Sequence, residues 1–133
     1  APSDENELGH MLYTATRHEG PIAIRYPRGI CRGVPVDEKL KELPIGKGDI
    51  VKTGNDLAII AIGSAVIPSL EAAWFLYKKG IDCTVVNARF AKPLDSDLIL
   101  ETVSKTKRLV TVEENALVGG FGSSVLSHLS SIE

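Results

Sequence analysis

The chain has 133 residues, 44% of them apolar and 24% charged, a balance typical of a globular domain with a core rather than of a disordered segment. A formal net charge of −2 argues against the basic surface that binds a nucleic acid backbone or an anionic membrane. The longest apolar runs, such as LAIIAIG at 57–63, are too short to cross a bilayer, and the first residues, APSDENEL, are not a signal peptide. We therefore expect a cytoplasmic protein that binds neither nucleic acid nor membrane.

The cysteines and histidines predict no metal site. Cys31 and Cys83 lack CxxC spacing and fit a reducing compartment better than a disulfide framework. His10, His18 and His128 have no cysteine or carboxylate partners at ligand spacing. We interpret these histidines as surface or helix-face residues.

The first predicted element is a helix over residues 3–19. Ser3 or Asp4 is its expected N-cap, Glu7 closes a capping box, and Gly20-Pro21 is the expected stop. The apolar residues with helical spacing are Leu8, Met11, Leu12 and Ala15.

A short strand and a linker are predicted next. In PIAIRYPRG, residues 21–29, apolar side chains alternate with Ala23 and Arg25, which predicts a strand ended by Pro27 and Gly29. Residues 30–53 combine glycines, prolines and charges without a sustained period. We expect an extended linker there, with at most a short strand around 48–52.

The second half of the chain has a βαβαβα pattern. Three nearly continuous apolar runs predict buried strands, and helix-length segments follow them. Such strands with helical crossovers indicate an α/β fold with a parallel sheet covered on both faces. The predicted strands are 57–64, 83–89 and 108–114, and the predicted helices are 66–79, 96–105 and one that begins near 121.

Both ends of the chain look incomplete. Residues 1–29 form one helix and one strand, too few to bury a core of their own. The last residues, SSVLSHLSSIE, stop inside an amphipathic helix. We interpret the chain as a fragment, in which the tail of one α/β domain is joined by a linker to most of a second.

Five motifs in chain order carry a family resemblance: APSDENEL, GPIAIRYPRG, LPIGKG, NARFAKPLD and TVEENALVGGFGSSV. Over nearly the whole chain they resemble the carboxyl-terminal third of the 1-deoxy-D-xylulose-5-phosphate synthase family, in the transketolase superfamily. The resemblance implies a mostly parallel sheet of the transketolase C-terminal domain type in residues 54–133, which are a truncated copy of it. It also implies that residues 1–29 end a pyrimidine-binding domain and that 30–53 link the two.

The resemblance implies a transferase that uses thiamine diphosphate and Mg²⁺. Members of the family condense pyruvate with glyceraldehyde 3-phosphate, lose CO₂ and form 1-deoxy-D-xylulose 5-phosphate for isoprenoid, thiamine and pyridoxal biosynthesis. They act as homodimers, and their catalytic, cofactor-binding and metal-binding residues lie upstream of the matching region. We therefore expect no such residues in this fragment, and we expect the fragment alone to be inactive.

Arg89 is the one candidate substrate-binding residue. It ends the predicted strand 83–89, and ligands of open parallel sheets collect at the carboxyl ends of the strands. A guanidinium can grip a phosphate group through two parallel hydrogen bonds. By the resemblance, the arginine of NARF contacts the phosphate group of glyceraldehyde 3-phosphate, and we assign that role to Arg89. From the residues alone, the alternative is an ion pair with a neighbouring domain, with Phe90 as a wedge against that domain.

Other motifs have two interpretations each. The glycines of GGFGSS, 119–124, either cradle an anion at a helix N-terminus or only allow a tight turn. Glu113 and Glu114 are either a proton-handling pair or one capping and one solvated carboxylate. Arg25 and Arg28 either assist a phosphate group or pair with acids of the linker.

The aromatic residues of the first crossover helix indicate a core or interface stripe rather than a ligand platform. They are Trp74, Phe75 and Tyr77.

Two rival functions remain open. One is the beta subunit of the decarboxylating component of a 2-oxo acid dehydrogenase complex, against which RYPRG and NARF argue. The other is a non-catalytic oligomerisation module that uses its apolar crossover faces as contacts.

Overall fold

A computed structural model describes residues 1–132. Four helices and four strands form the described part of the chain. In chain order they are α1 (Glu5–Arg17), β1 (Asp49–Lys52), β2 (Leu57–Ala61), a 3-10 turn (Gly63–Ala65), α2 (Val66–Tyr77), β3 (Cys83–Asn87), α3 (Ser96–Thr106), β4 (Leu109–Val112) and α4 (Phe121–Ser130).

The strands form one mixed sheet in the order β1-β3-β2-β4. Strand β2 pairs parallel with both β3 and β4, as the βαβαβα pattern predicts, while β1 pairs antiparallel with β3. The α/β class with a mostly parallel sheet is therefore confirmed. The short strand expected around 48–52 is present as β1, so the sheet begins within the segment assigned to the linker.

Helices cover both faces of the sheet. One face packs against α3 and α4 through a cluster that includes Ile60, Val86, Ile99 and Val125. The other packs against α2, where Ile59, Ala73, Cys83 and Val85 are buried together. Since both faces are covered, the central strands have apolar side chains at consecutive positions, as their sequences indicate.

The prediction of a strand in PIAIRYPRG is wrong. Residues 21–27 have no regular secondary structure, and Ile22 and Tyr26 are exposed. A strand forms only where a neighbouring strand satisfies its backbone groups, and no strand of residues 1–132 pairs with this segment.

Helix α1 begins as predicted but ends early and lacks the expected capping box. Asp4 is its N-cap and accepts a hydrogen bond from the Glu7 amide at 2.8 Å. The C-cap is His18, two residues before Gly20. The Glu7 carboxylate accepts from the Ser3 amide instead of closing the box at Asp4. Because Glu7 does not bond to the Asp4 amide, its carboxylate can bond to residues at the end of β3.

Side chains of α1 hold the linker alongside the helix. Glu5 accepts from three successive backbone amides, those of residues 32–34, and Asn6 accepts from the Asp37 amide. Further along, the Leu43 amide donates to Thr14 Oγ1 at 2.8 Å. Residues 32–43 of the linker have no strand partner, so these side chains satisfy backbone donors there.

Candidate functional site

Arg89 lies two residues beyond the carboxyl end of β3, at the edge of the sheet where the sequence places it. Its backbone is left-handed, with φ of 56°, a conformation that non-glycine residues adopt infrequently. The turn is held by two hydrogen bonds: the Phe90 amide donates to the Ala88 carbonyl, and the Arg89 amide donates to Asn87 Oδ1 at 3.1 Å. The turn therefore sets the direction in which the arginine side chain leaves the strand.

The Arg89 guanidinium is engaged on two of its three nitrogens. Nε donates to Glu7 Oε1 at 2.7 Å, and Nη2 lies 3.4 Å from Asp49 Oδ2. No partner of Nη1 occurs within residues 1–132, and 20% of the side chain is exposed. The structure thus contains the ion pair that the sequence left open as the alternative, and it leaves one nitrogen of the guanidinium available.

Glu7 is the centre of this cluster, although the sequence indicated only a helix cap. It is 7% exposed, and Asn87 Nδ2 lies within 3.0 Å of both of its carboxylate oxygens. Burial alone would raise the pKa of Glu7, but hydrogen bonds from Arg89, the Ser3 amide and Asn87 outweigh burial and lower that pKa below its ordinary value. Glu7 is therefore held as a carboxylate.

A cavity of about 620 Å³ adjoins the same edge of the sheet. Its wall includes Phe90, which follows Arg89, and two cations, Arg25 and Lys92. Arg89 itself does not line it. The cavity is bounded on one side by the extended segment 21–25 and on the other by the N-terminus of α4.

The loop arginines do not pair with the linker acids as one interpretation proposed. Neither Arg25 nor Arg28 forms an ion pair within residues 1–132, whereas Arg17 pairs with Glu42 at 3.2 Å. Of the two, Arg25 lines the cavity, so the phosphate interpretation of Arg25 stays a prediction.

The N-terminus of α4 is occupied by a carboxylate of the chain itself. Glu113 accepts from the Phe121 and Gly122 amides, both at 2.8 Å, and Glu114 is exposed. The helix N-terminus favours this negative charge. The interpretation of one capping and one solvated carboxylate is therefore confirmed, and the anion cradled by GGFGSS is Glu113.

His10 lies on a face of α1 and is not on the surface, so the helix-face interpretation holds for it. It is 7% exposed; Nδ1 accepts from the Lys41 amide, and Nε2 lies 3.0 Å from Asp37 Oδ2. Its ring thus joins α1 to the linker, a contact that no spacing in the sequence indicates. His18 is exposed, and the Nε2 atom of His128 is buried without a partner in the described residues.

The α2 aromatic residues are more than half exposed, so they are not core residues. Lys52 lies against the Trp74 and Tyr77 rings, with Nζ about 5.5 Å from each centroid. The same ammonium donates to Asp82 and to the carbonyls of Thr53 and Cys83, so its three protons are used within the fold. An interface role for the aromatic stripe stays a prediction.

Residues 1–132 contain neither a cluster of metal ligands nor a helix that could cross a membrane. Across residues 1–132 no group of three or more histidine, cysteine, aspartate or glutamate side chains could hold a metal ion. In the same range, no helix is both long and apolar enough to cross a membrane.

The family model of the transketolase C-terminal domain matches residues 46–133. The chain belongs to this family. The match begins just before β1, so it takes in the whole sheet of this transketolase C-terminal domain.

Curated relatives of the chain are synthases. The chain is 59% identical over 130 residues to 1-deoxy-D-xylulose-5-phosphate synthase 1 of Geobacter sulfurreducens, and 52% identical over 130 residues to 1-deoxy-D-xylulose-5-phosphate synthase of Halothermothrix orenii. Each match covers 98% of this chain and 20% of the relative. The resemblance carried by the five motifs is thereby confirmed, and the chain spans about a fifth of the length of these relatives.

A solved structure has the same arrangement of elements. A split-gene transketolase, described as an inactive beta4 tetramer, superimposes with a TM-score of 0.84 at 32% identity. The superposition covers 98% of this chain and 43% of that one, so α1 and the linker lie within the matched region along with the transketolase C-terminal domain.

Proposed function

We propose that this chain is the carboxyl-terminal part of a longer 1-deoxy-D-xylulose-5-phosphate synthase. That transferase condenses pyruvate with glyceraldehyde 3-phosphate, releases CO₂, and supplies isoprenoid, thiamine and pyridoxal biosynthesis. The observation that carries the proposal is the 59% identity to a synthase over 98% of the chain. In this proposal residues 1–29 end a pyrimidine-binding domain, 30–53 are the linker, and the longer protein is a cytoplasmic homodimer.

Thiamine diphosphate and Mg²⁺ belong to other parts of that protein. The described residues do not fit them, because 1–132 contain no cluster of three or more His, Cys, Asp or Glu side chains that could hold a metal ion, and the amides at the α4 N-terminus already bind Glu113. We therefore assign no catalytic step to this chain.

The proposed activity is tested by incubating the longer protein with pyruvate, glyceraldehyde 3-phosphate, thiamine diphosphate and Mg²⁺. We expect equimolar CO₂ and 1-deoxy-D-xylulose 5-phosphate. Transfer of the two-carbon unit to lipoamide instead would identify the 2-oxo acid dehydrogenase subunit. Absence of any calorimetric heat on titration with the cofactor and Mg²⁺ would identify a non-catalytic module.

Within this function, we propose that Arg89 binds the phosphate group of glyceraldehyde 3-phosphate. Three observations support the role: its position beyond the carboxyl end of β3, its left-handed backbone, and an Nη1 that has no partner among residues 1–132 in a side chain that is 20% exposed. The role is a contact through the open side of the guanidinium, because Nε and Nη2 are already engaged.

Replacement of Arg89 tests this role. A hydrogen bond to a charged group contributes roughly 1.5 to 3 kcal/mol, so Arg89→Ala in the longer protein should raise KM for glyceraldehyde 3-phosphate about 10- to 100-fold. Cofactor affinity should hardly change. The matched control is Arg17→Ala, which removes an exposed arginine paired with Glu42. An unchanged KM in Arg89→Ala would exclude the phosphate contact and leave Arg89 as an anchor for α1.

A further inference from the structure

Hydrogen bonds to both oxygens orient the Glu7 carboxylate. Oε1 accepts from Arg89 Nε at 2.7 Å, and Oε2 accepts from the Ser3 amide at 2.7 Å. Asn87 Nδ2 donates across both oxygens, at 2.9 and 3.0 Å. Because Glu7 is almost fully buried, these bonds form away from bulk water, where charge-assisted hydrogen bonds are strong.

The same residues also determine the backbone of Arg89. Asn87 uses its amide nitrogen for Glu7 and its Oδ1 for the Arg89 amide. Glu7 and Asn87 together thus contact both the backbone and the side chain of Arg89. Since the guanidinium is planar, a bond at Nε and a second at Nη2 orient the whole group and leave Nη1 on its open side.

We propose that Glu7 is a positioning residue that orients Arg89 for the phosphate group of the aldehyde substrate. The inference rests on the phosphate contact proposed above. Glu7 itself does not touch the substrate. It acts from α1, across the boundary between the segment that precedes the linker and the transketolase C-terminal domain.

The size of the effect follows from pre-orientation. Ordering a long, freely rotating side chain on binding costs an amount equivalent to about 2- to 10-fold in affinity. When Glu7 is present, the Arg89 side chain is already ordered in the folded protein, so substrate binding does not have to order it. Loss of Glu7 should therefore weaken recognition of the phosphate group and should not affect an aldehyde that lacks it.

The test uses the full-length synthase with two aldehydes, glyceraldehyde 3-phosphate and glyceraldehyde. In Glu7→Gln, the ratio of their kcat/KM values should fall about 2- to 10-fold, to the disadvantage of the phosphorylated substrate. In an Arg89→Ala background the same change should have no further effect on the ratio, because the group that Glu7 orients is gone. Glu42→Gln, which removes the carboxylate of the exposed Arg17 pair, is the matched control and should leave the ratio unchanged.

The outcomes separate this inference from the function on which it rests. If Arg89→Ala lowers the ratio and Glu7→Gln does not, the positioning role is excluded and the phosphate contact stands. If Arg89→Ala leaves the ratio unchanged, both are excluded. A purely structural role would lower both kcat/KM values in parallel and also exclude the inference. Should Glu7→Gln not fold, Glu7→Asp keeps the charge but withdraws the carboxylate by one methylene, and an unchanged ratio in that variant overturns the proposal.

Discussion

At Arg89 a strained backbone and a charged side chain occur in the same residue. A left-handed non-glycine residue costs on the order of 1 to 3 kcal/mol and persists where its surroundings determine it. Here the surroundings are Asn87, which binds the Arg89 amide, and Glu7, which binds the side chain. The strain is thus offset by hydrogen bonds that involve a charge.

The stability of the chain should depend on Glu7 in acid. Because the pKa of Glu7 is lowered by folding, its contribution is fully present above the ordinary glutamate value of 4.5 and is lost as the pH falls through the lower, folded value. We expect Glu7→Gln to be roughly 1.5 to 3 kcal/mol less stable at pH 7 and to lose less stability than the parent below pH 4.5. Urea unfolding at a series of pH values measures both, and parallel pH profiles would contradict the assignment.

Asp95 joins the start of α3 to the segment before β1. It is the N-cap of α3, accepts from the Gly48 amide at 3.0 Å and binds Lys47 at 3.0 Å, so it also fixes the approach to β1. Asp95→Ala should lower the free energy of unfolding by about 2 kcal/mol. Asp97, on the same first turn, has a side chain that is 92% exposed. Asp97→Ala should change the free energy of unfolding by less than about 0.5 kcal/mol. Denaturant titration of the two variants is the measurement, and equal effects would refute the argument.

Helix α4 begins without a side-chain bond from its own N-cap, Gly120, and is capped by Glu113 from eight residues before Phe121. Glu113 supplies the acceptor for two of its N-terminal amides, and Gly120 leaves the space in which that carboxylate lies. A Cβ on Gly120 would lie 2.7 Å from Glu113 Oε1 and would also meet the Ala116 carbonyl oxygen. Glycine is therefore needed here for close approach.

Gly120→Ala should displace Glu113 from the helix. Loss of the cap together with overpacking should cost about 2 to 4 kcal/mol. Gly29→Ala is the control, because no heavy atom lies within 4 Å of its Cβ position. Thermal melts followed by circular dichroism compare the two variants, and a Gly120→Ala protein as stable as the control would show that Glu113 does not need this space.

At the scale of the whole molecule, α1 contacts the end of β3 through polar groups, and large apolar side chains elsewhere in residues 1–132 lie outside the core. Ile30 and Leu117 are among the apolar side chains that are almost fully exposed. Exposed apolar side chains of this size favour association where they lie together.

We therefore expect residues 1–133 alone to self-associate and to be catalytically inactive. Sizing chromatography with light scattering measures the first property, and assay with calorimetric titration of thiamine diphosphate and Mg²⁺ measures the second. A monomer at high concentration would contradict the first expectation. Heat of cofactor binding to the isolated chain would contradict the second and would require a cofactor site among these residues.

The sequence by itself determined the class of the sheet, because hydrophobic periodicity and capping are local properties. The apolar runs, the Asp95 cap and the position of Arg89 at the end of its strand could all be predicted from neighbouring residues, and Asp4 was one of two predicted caps. Only the tertiary structure decided which groups the charged and polar side chains bond to. Glu7 and Arg89 are 82 positions apart, Glu113 reaches a helix that begins eight residues later, and His10 meets a linker amide 31 positions away. Hydrophobic periodicity does not encode such contacts, since they depend on how the elements pack. Residues 21–27 likewise have the alternation of a strand but do not form one, because a strand needs a neighbouring strand to pair with.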